Sequence, residues 1–370
     1  MHKRAIVCVT NDLYTDQRVH KTCIALVKCD YKVLEYGRLL HDSQPLDRPY
    51  STHRTKHWFN RGAQFYAEYN IRLFFFLLFS KFDLVFANDL DTLPAAFLAS
   101  KIKGKKIIYD THEYFTETPE LTRRPSIQKI WKRIESLFFP KLSHIITVNQ
   151  SIADLYKKEY HKEIAVVRNI PLTFTPVEIK SRKELGLPSD KKIIIIQGTG
   201  INIERGAEEA CLALKYLENV ILLIIGSGDV FPVLKKITEE NHLENKVIFK
   251  QKMASHELRN YTMNADLGLA IDKATNLNYI YSLPNKLFDY IHAGIPVLSS
   301  DLTEIKKIIE QYQIGYFIQN HDPEHIAQTI KNIFDDQDTY SHKKSNTGTA
   351  KNILCWEEEE KALLNIIHSI

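Results

Sequence analysis

The chain has 370 residues, of which 44% are hydrophobic and 25% are charged, and this composition excludes a disordered or collagen-like protein. The length exceeds what one hydrophobic core usually organises, so two domains are expected. The net charge of +4 conceals an asymmetry, because residues 1–168 carry 27 Lys and Arg against 18 Asp and Glu, whereas residues 169–370 carry 22 against 27. A basic first half suits an anionic partner or an anionic membrane surface, although ordinary solvated lysines explain it equally well.

The cysteines and the apolar runs indicate a cytoplasmic protein. The first apolar run of the chain is too short for a signal peptide and is interpreted as a first strand. The longest apolar run, LFFFLLF at residues 73–79, is far shorter than the roughly 20 residues that cross a bilayer. The cysteines are odd in number and lack any CxxC or metal-ligand spacing, which predicts free thiols in a reducing compartment. They are Cys8, Cys23, Cys29, Cys211 and Cys355.

Short β-branched runs recur along the chain, and each is followed by a helical stretch. The first half contains AIVCVT, YKVLEYG, DLVFAND, KKIIYD, HIITVN and EIAVVRN, and the second half contains KKIIIIQG, VILLIIG, KVIFK, ADLGLAI and IPVLSS. Runs that are apolar on both faces, with helices between them, predict two parallel sheets. The segment at residues 168–192 is rich in proline and charge and is predicted to be a linker. Ligands of such sheets bind beyond the carboxyl ends of the strands.

Two glycine-bearing turns follow strands of the second half. In QGTGINIERG, Gly198 and Gly200 would let backbone N–H groups approach an anion, and Arg205 could add a guanidinium. The turn IIGSGD places Gly226 and Gly228 after the next strand. Each turn alone is a weak signal, because strand-to-helix turns also use glycine for steric reasons.

The stretch SLPNKLFDYIHAGIPVLSS predicts a short helix with an anion-binding start. Ser282 is predicted to cap the helix, Pro284 suits its first positions, and Gly294 can end it. Lys286 would add charge to the positive end of the helix dipole, where an incoming diphosphate meets N–H donors. Asp289, one turn further on, could accept hydrogen bonds from ribose hydroxyls. Alternatively, Lys286 and Asp289 form a surface ion pair worth about 0.2–0.5 kcal/mol.

The same stretch resembles the nucleotide-sugar signature of retaining GT-B glycosyltransferases of the group 1 class, family 4, which carry a Glu-x7-Glu motif. The second glutamate of the motif corresponds to Asp289 and the first to Tyr281. Aspartate shortens the arm that holds the donor ribose but keeps its chemistry. Tyrosine removes a carboxylate beside the donor sugar, which is a departure from the family.

The resemblance extends over most of the chain. NDLYTDQRVHK resembles the loop after the first strand, YDTHEYFTETPEL the sugar-side histidine segment, ERG the residue that grips the diphosphate, and CWEEEEKALLNII the C-terminal helix. It implies an α/β GT-B fold with two Rossmann-like domains whose parallel sheets face each other across a cleft. The implied division is an acceptor-binding domain at 1–168, a nucleotide-sugar-binding domain at 169–352 with a linker at 169–190, and a helix at 353–370 that crosses back.

The resemblance also implies an activity, which is the metal-independent, retaining transfer of a hexose from a nucleoside-diphosphate sugar to a glycan, lipid-linked or small-molecule acceptor. The predicted catalytic residues are His112, which would face the donor sugar, Arg205 and Lys286. The predicted donor-binding residues are Gly198, Thr199, Arg205, Gly226, Gly228, Tyr281, Ser282, Pro284, Asn285, Lys286, Leu287 and Asp289. The predicted acceptor-binding residues are Asp12, Asp16, Gln17 and Arg18, and Asp16 could equally cap the following helix.

Two acidic clusters are not predicted to bind metal. Asp89 and Asp91 resemble the metal-holding Asp-x-Asp of the other glycosyltransferase fold, but they follow a strand and open a helix, where either can act as a cap. The four consecutive glutamates at 357–360 are predicted to form a solvated helix face.

One segment is both basic and aromatic, namely RRPSIQKIWKRIESLFFPKLSH at residues 123–144. It is a candidate for contact with the inner face of an anionic membrane or with a lipid-linked acceptor. Its apolar face could equally be ordinary core. No nucleic-acid partner is predicted.

Two other functions stay open at this point. Non-hydrolysing sugar-nucleotide 2-epimerases share the two-domain architecture, although no acid–base set for proton transfer can be assigned in this sequence. A non-catalytic partner subunit is suggested by Tyr281, which stands where the family has a carboxylate.

Overall fold

A computed structural model describes residues 2–41, 43–174 and 179–370. Within these ranges, the first half of the chain forms one sheet and the second half another. The strands of the first sheet are β1 (Arg4–Asp12), β2 (Lys32–Arg38), β3 (Ser51–Thr55), β4 (Leu84–Asn88), β5 (Lys106–Thr111), β6 (Ile145–Thr147) and β7 (Ala165–Val166). Those of the second are β8 (Lys192–Gly198), β9 (Val220–Gly226), β10 (Val247–Gln251), β11 (Leu267–Ala270), β12 (Val297–Ser300) and β13 (Gly315–Ile318).

Helices alternate with these strands. In the first half they are α1 (Gln17–Lys28), α2 (Gly62–Phe79), α3 (Leu93–Lys103), α4 (Pro119–Thr122), α5 (Pro125–Phe138) and α6 (Gln150–Tyr160). In the second half they are α7 (Ala207–Ala213), α8 (Phe231–Glu240), α9 (Ser255–Met263), α10 (Leu277–Ile280), α11 (Asn285–Ala293), α12 (Thr303–Tyr312), α13 (Pro323–Asp335) and α14 (Gln337–Ile353). The last helix is α15 (Trp356–His368).

Both sheets are parallel and doubly wound, which confirms the predicted fold class. The first has the order β3-β2-β1-β4-β5-β6-β7, and the second has the order β10-β9-β8-β11-β12-β13. The direction of winding reverses between β1 and β4 in the first sheet and between β8 and β11 in the second. These two positions are the topological switch points at which such sheets bind ligands.

Strand β8 shows why the sequence predicts a parallel sheet covered on both faces. Its side chains alternate between two hydrophobic cores, because successive residues of a strand point to opposite faces. Ile194 and Ile196 belong to one core, and Ile193 and Ile195 belong to the other. All four are at most 2% exposed.

The chain divides into two compact units. The first comprises Met1–Asn169 together with Glu358–Ile370, and the second comprises Ile170–Glu357. Part of the predicted linker is not an exposed connector, because Leu185 and Leu187 pack into the core of the second unit. Residues 175–178 of that linker lie outside the described residues.

Charged contacts attach α15 to the rest of the first unit. Glu359 accepts hydrogen bonds from the backbone N–H and the Nε of Arg168, at 2.8 and 2.9 Å, and Glu360 accepts two from Lys28, at 2.6 and 2.8 Å. Both glutamates are less than 10% exposed. The prediction of a solvated helix face is therefore wrong for Glu359 and Glu360, because each is buried against a cation.

All five cysteines lie in the described ranges and are free thiols, as predicted. Among the described residues, no helix combines the length and the apolar character that crossing a membrane requires.

Candidate functional site

Three charged side chains meet at the switch point of the second sheet. Arg205 lies in the loop that follows β8, Asp272 follows β11, and Lys286 is the second residue of α11. The loops that carry them therefore leave the carboxyl ends of the two strands between which the winding reverses. The structure thus brings together Arg205 and Lys286, the two cations that the sequence predicts for a diphosphate.

The carboxylate of Asp272 lies between the two cations. Its Oδ1 is 3.2 Å from Lys286 Nζ and 3.8 Å from Arg205 Nη1. Asp272 is fully buried, and its Oδ2 has no hydrogen-bond partner within the described residues. Burial lowers the pKa of Lys286, and the charge of Asp272 opposes that shift. Two cations therefore converge on one buried carboxylate beyond the carboxyl ends of β8 and β11.

The guanidinium of Arg205 is also held by an aromatic ring. Its Cζ lies 4.6 Å from the centre of the Tyr279 ring, within the range of a cation–π contact. Neither Tyr279 nor Asp272 is predicted from the sequence. Asp272 directly follows ADLGLAI, so the rule that polar residues after a strand are site candidates could have found it.

Helix α11 begins later than the sequence predicts. Pro284 occupies the N-cap position with extended backbone, and the helix ends at Gly294, which has a φ of 77° in the left-handed region. Ser282 is not the cap, because the helix starts three residues after it and its hydroxyl donates to the backbone oxygen of Tyr279, at 3.0 Å. The side chain of Leu287 is fully buried in the core, so only its backbone is left for the predicted donor contact, which stays a prediction.

Asp289 is held in place from β8. Its Oδ2 accepts a hydrogen bond from Gln197 Nε2 at 3.1 Å, and Gln197 Oε1 in turn accepts one from Thr262 at 2.7 Å. Lys286 and Asp289 therefore have separate partners, and the alternative of a simple surface ion pair between them does not describe this helix. Of the other residues predicted here, Tyr281 is half-buried at the end of α10, and Asn285 is exposed at the start of α11.

The two glycine-bearing turns pack against each other. The N–H of Ser227 donates to the backbone oxygen of Gly198 at 3.1 Å. A Cβ on Gly226, whose φ is 144°, would lie 1.7 Å from that oxygen, and one on Gly228 would lie 1.9 Å from the backbone oxygen of Ile201. Close approach of the two loops thus accounts for Gly226 and Gly228 without a ligand. Gly198 and the exposed Thr199 lie beside this contact, and their donor contacts stay a prediction.

A second charged cluster lies at the carboxyl ends of β4 and β5 in the first sheet, around His112, which follows β5. Its backbone N–H donates to Asp89 Oδ1 at 2.9 Å, and its Nδ1 lies 3.2 Å from Asp89 Oδ2. Its Nε2 lies 3.4 Å from Asp110 Oδ2 and 3.2 Å from Asn88 Oδ1. Burial lowers the pKa of His112, but the charges of Asp89 and Asp110 together outweigh it and raise the pKa well above 6.5. The imidazole is therefore a cation at neutral pH.

Arg18 does not face an acceptor, and this prediction is wrong. Its Nε and Nη2 donate to the two oxygens of Asp110, at 3.0 and 2.7 Å, and its Nη1 donates to the backbone oxygen of Val167 at 2.8 Å. The residue is only 4% exposed. Arg18 thus positions Asp110, which in turn contacts His112.

The other predicted acceptor residues have local roles or are exposed. Asp16 caps α1 by accepting a hydrogen bond from the N–H of Val19 at 3.0 Å, which confirms the alternative given for it. Asp12 accepts hydrogen bonds from the N–H of Tyr14 and the hydroxyl of Ser43, at 3.0 and 2.7 Å. Gln17 is exposed at the first position of α1.

The Asp-x-Asp pair does not cap α3, contrary to expectation. Thr92 occupies the N-cap position without a side-chain cap, and Asn70 accepts the hydrogen bond of the Ala95 N–H instead, at 3.1 Å. Asp91 is buried and accepts a hydrogen bond from the hydroxyl of Thr10 at 2.6 Å. Burial, with the nearby charge of Asp89, raises the pKa of Asp91 to about 7. Among the described residues, no three His, Cys, Asp or Glu side chains are grouped to hold a metal ion.

The raised pKa of His112 gives a pH-dependent prediction. A group whose pKa is higher in the folded protein adds stability below its unfolded value near 6.5, and this stability is lost as the pH rises through the folded value. We expect His112→Gln to lower the free energy of unfolding by about 1.5–3 kcal/mol at pH 6, and by progressively less above the folded pKa. Urea unfolding across pH 6 to 10 measures this, with the exposed His256→Gln as the control. An equal effect of both variants at pH 6 would contradict it.

Two family models match the chain and together span most of it. Residues 17–170 match the model described as Glycosyltransferase Family 4, and residues 177–349 match the model described as Glycosyl transferases group 1. The amylovoran biosynthesis glycosyltransferase AmsK of Erwinia amylovora is 24% identical over 249 residues, which cover 64% of this chain and 58% of AmsK. Curated relatives are matched over only 40% to 63% of their own length.

Solved structures share the fold over the whole chain. The sucrose-phosphate synthase of Thermosynechococcus elongatus superposes with a TM-score of 0.84 at 14% identity, covering 100% of this chain and 99% of that one. HepE of Anabaena, in complex with UDP and glucose, superposes with a TM-score of 0.77 at 14% identity, covering 100% of both chains. At these identities the likeness concerns the fold alone.

Proposed function

Because the chain belongs to the group 1 glycosyltransferases, we propose that it transfers a hexose from a nucleoside-diphosphate sugar to an acceptor hydroxyl, with retention of anomeric configuration. The observation that carries this proposal is the cluster of Arg205, Asp272 and Lys286 at the switch point of the second sheet. The start of α11 adds N–H donors and the positive end of a helix dipole to the same place.

In the proposed reaction, the bond between the anomeric carbon and the diphosphate oxygen breaks, and the acceptor oxygen bonds to that carbon from the same side. The proton of the acceptor hydroxyl passes to the departing diphosphate. Arg205, Lys286 and the start of α11 stabilise the negative charge that develops on that group. These fixed positive charges are the reason that we propose no metal for the step.

His112 is proposed as the sugar-side residue, but not as a general base. A protonated imidazole cannot accept a proton, and both of its ring nitrogens face carboxylates or an amide. Its proposed contribution is a fixed positive charge near the donor sugar, held in orientation by Asp89 and Asp110. Asp12 and Gln17 remain proposed acceptor contacts. Gln17 is exposed at the first position of α1, and Asp12 is the last residue of β1.

Named relatives support a nucleotide-sugar donor and a polysaccharide product. HepE is solved with UDP-glucose, and AmsK is named for the biosynthesis of amylovoran. We propose a glycan or lipid-linked acceptor on this basis. We also propose that the protein acts in the cytoplasm, in peripheral contact with the inner face of an anionic membrane.

A panel of nucleoside-diphosphate sugars tests the function directly. A true donor should raise the melting temperature, since a ligand at 100 times its dissociation constant adds about 2.7 kcal/mol. With that donor and an acceptor, proton NMR should show a product whose anomeric configuration equals that of the donor. Deuterium entering the sugar from D2O would instead indicate an epimerase. Binding of the donor with no turnover at all, not even slow hydrolysis, would favour the non-catalytic partner subunit that Tyr281 suggests.

The role proposed for Asp289 has its own test. We expect Asp289→Asn to weaken binding of the ribonucleoside diphosphate by roughly 10- to 100-fold, because a carboxylate accepts hydroxyl hydrogen bonds more strongly than an amide. Binding of the 2′,3′-dideoxy analogue should be weak in the parent protein and change little in the variant, as measured by isothermal titration. The exposed Asp335→Asn serves as the control. An equal loss for both nucleotides would contradict ribose recognition by Asp289.

A further inference from the structure

Helix α2 is apolar on its outer side as well as on its inner side. Phe65, Tyr69, Leu73 and Leu77 form its buried side. Ile71, Phe75 and Phe79, four residues apart, are 58%, 52% and 82% exposed. A helix that is apolar all round is ordinarily buried on all sides. The outer side of α2 is therefore exposed, although its residues are typical of a helix side in an apolar environment.

Helix α3 continues this surface beside α2. Leu98 and Ile102, four residues apart on α3, are 46% and 64% exposed. Lys103 Nζ donates to the backbone oxygens of Leu77 and Leu78 at 3.3 and 2.9 Å, and also to that of Ser80. These oxygens belong to the C-terminal end of α2, so the two helices end side by side. We call the exposed residues of this pair the outer face: Ile71, Phe75, Phe79, Leu98 and Ile102.

Basic residues lie at and after the C-terminal ends of both helices. Lys81 follows α2, and Lys101, Lys105 and Lys106 lie at or after the end of α3. Lys81, Lys101 and Lys106 are exposed and form no ion pair within the described residues. Asp83 is the acid of this region, and it is engaged by Lys105 at 2.8 Å and by the backbone N–H of Arg4 at 3.0 Å. The rim of the outer face is thus positively charged.

We infer that the outer face of α2 and α3 lies on an anionic lipid bilayer, with Phe75 and Phe79 inserted at the interface and the lysines on the headgroups. Apolar residues flanked by cations are what such a surface binds. A second copy of the chain suits the face less well, because a two-fold contact would place like-charged lysines together. The inference rests on the proposed peripheral membrane contact and is independent of the transfer chemistry.

The aromatic rings of the segment predicted for membrane contact, residues 123–144, are buried, whereas its Ile130 and Leu137 are each 55% exposed. The Trp131 ring of α5 packs against Tyr66 and Phe115, with ring centres 5.1 and 5.2 Å apart, and Phe138 packs against Phe97 at 5.3 Å. Trp131 and Phe138 are each only 8% exposed. These aromatic residues of 123–144 are core, as the alternative interpretation of that segment holds, so they are not available to lipid.

Vesicle co-sedimentation of the full chain tests the inference, with vesicles of phosphatidylcholine alone or mixed with phosphatidylglycerol. We expect binding to the anionic vesicles only, and its loss in 0.5 M NaCl. The double variant Phe75→Ser/Phe79→Ser should bind at least 10-fold more weakly. Lys81→Gln/Lys101→Gln should lose about fivefold per lysine. The control Ile127→Ser/Ile130→Ser alters exposed apolar residues of α5 and should bind as the parent does.

Several results would overturn the inference. They are no binding to anionic vesicles, an equal loss in the α5 control, and a monomer–dimer equilibrium in sedimentation that the Phe75→Ser/Phe79→Ser variant abolishes, which would assign the face to a second copy. The thermal shift given by a nucleoside-diphosphate sugar should be unchanged in every variant, since the outer face lies in the other unit from Arg205 and Lys286. If the parent protein failed to bind vesicles but still gave the thermal shift, the transfer proposal would stand and the membrane inference would fail. If the parent protein bound vesicles but no nucleoside-diphosphate sugar gave a thermal shift, only the transfer proposal would fail.

Discussion

Replacing Lys286 with methionine is expected to weaken binding of nucleoside diphosphates on the order of 100-fold and to lower the free energy of unfolding by about 3 kcal/mol. The loss of binding follows because Lys286 supplies one of the two cations at the proposed diphosphate site. The loss of stability follows because Asp272, fully buried, then has only the more distant Arg205, at 3.8 Å, as a cation among the described residues. Isothermal titration and urea unfolding measure the two effects separately.

A double-mutant cycle separates the two effects within one set of proteins. Asp272→Asn/Lys286→Met removes both partners, so it should destabilise the protein by less than the sum of the single variants, with a coupling of about 1–3 kcal/mol. Nucleotide binding should remain lost in the double variant. Asp272→Asn alone should keep nucleotide binding, since both cations remain.

The exposed Lys331→Met is the matched control for this cycle and should change neither quantity. If the double variant regained nucleotide binding together with stability, Lys286 would serve the fold alone and the assignment of the diphosphate site would fail.

Replacing Asp110 with asparagine is expected to destabilise the first unit by about 3–5 kcal/mol at pH 7. Asp110 is 1% exposed and binds Arg18 with both oxygens, so its removal leaves a buried guanidinium without its counter-charge and leaves Asp89 to balance the His112 imidazolium. Although burial opposes ionisation, Arg18 and His112 lower the pKa of Asp110 from 3.8 to about 2. The contribution is therefore present above pH 3.8 and is lost as the pH falls toward 2.

Urea unfolding of the parent and variant proteins at pH 7 and near pH 2 measures this difference, which should shrink at the lower pH. Asp83→Asn is the comparison, because Asp83 pairs with Lys105 at the surface and its removal should cost less than about 1 kcal/mol. Equal costs for the two variants at pH 7 would contradict the importance of the buried pair.

Much of the fold is predictable from local sequence, and the missing parts have physical causes. The eleven predicted strands are found, because β-branched runs that are buried on both faces leave a strong pattern. Strands β3, with the sequence STHRT, and β13, with GYFI, escape prediction. Both are edge strands of four or five residues, and β3 is polar, so neither has the apolar run by which a central strand is recognised.

The charged residues of the site are harder to assign from sequence. Arg205 and Lys286 each belong to a motif, at a turn and at a helix start, and the structure brings both side chains to Asp272. Arg18 is misassigned because its partner, Asp110, lies 92 residues away and becomes its neighbour only when β1 and β5 join one sheet. Asp272 belongs to no motif, and its importance is visible only when two cations are seen to converge on it.

The contacts of Glu359 and Glu360 with Arg168 and Lys28 join residues that are translated before and after the second unit. Residues 358–370 complete the first unit, yet they leave the ribosome only after the whole of Ile170–Glu357. Domains usually form in order from the N-terminus as the nascent chain emerges. Here the first unit cannot be completed until the second unit has been translated. Completion of the first unit therefore depends on synthesis of the second.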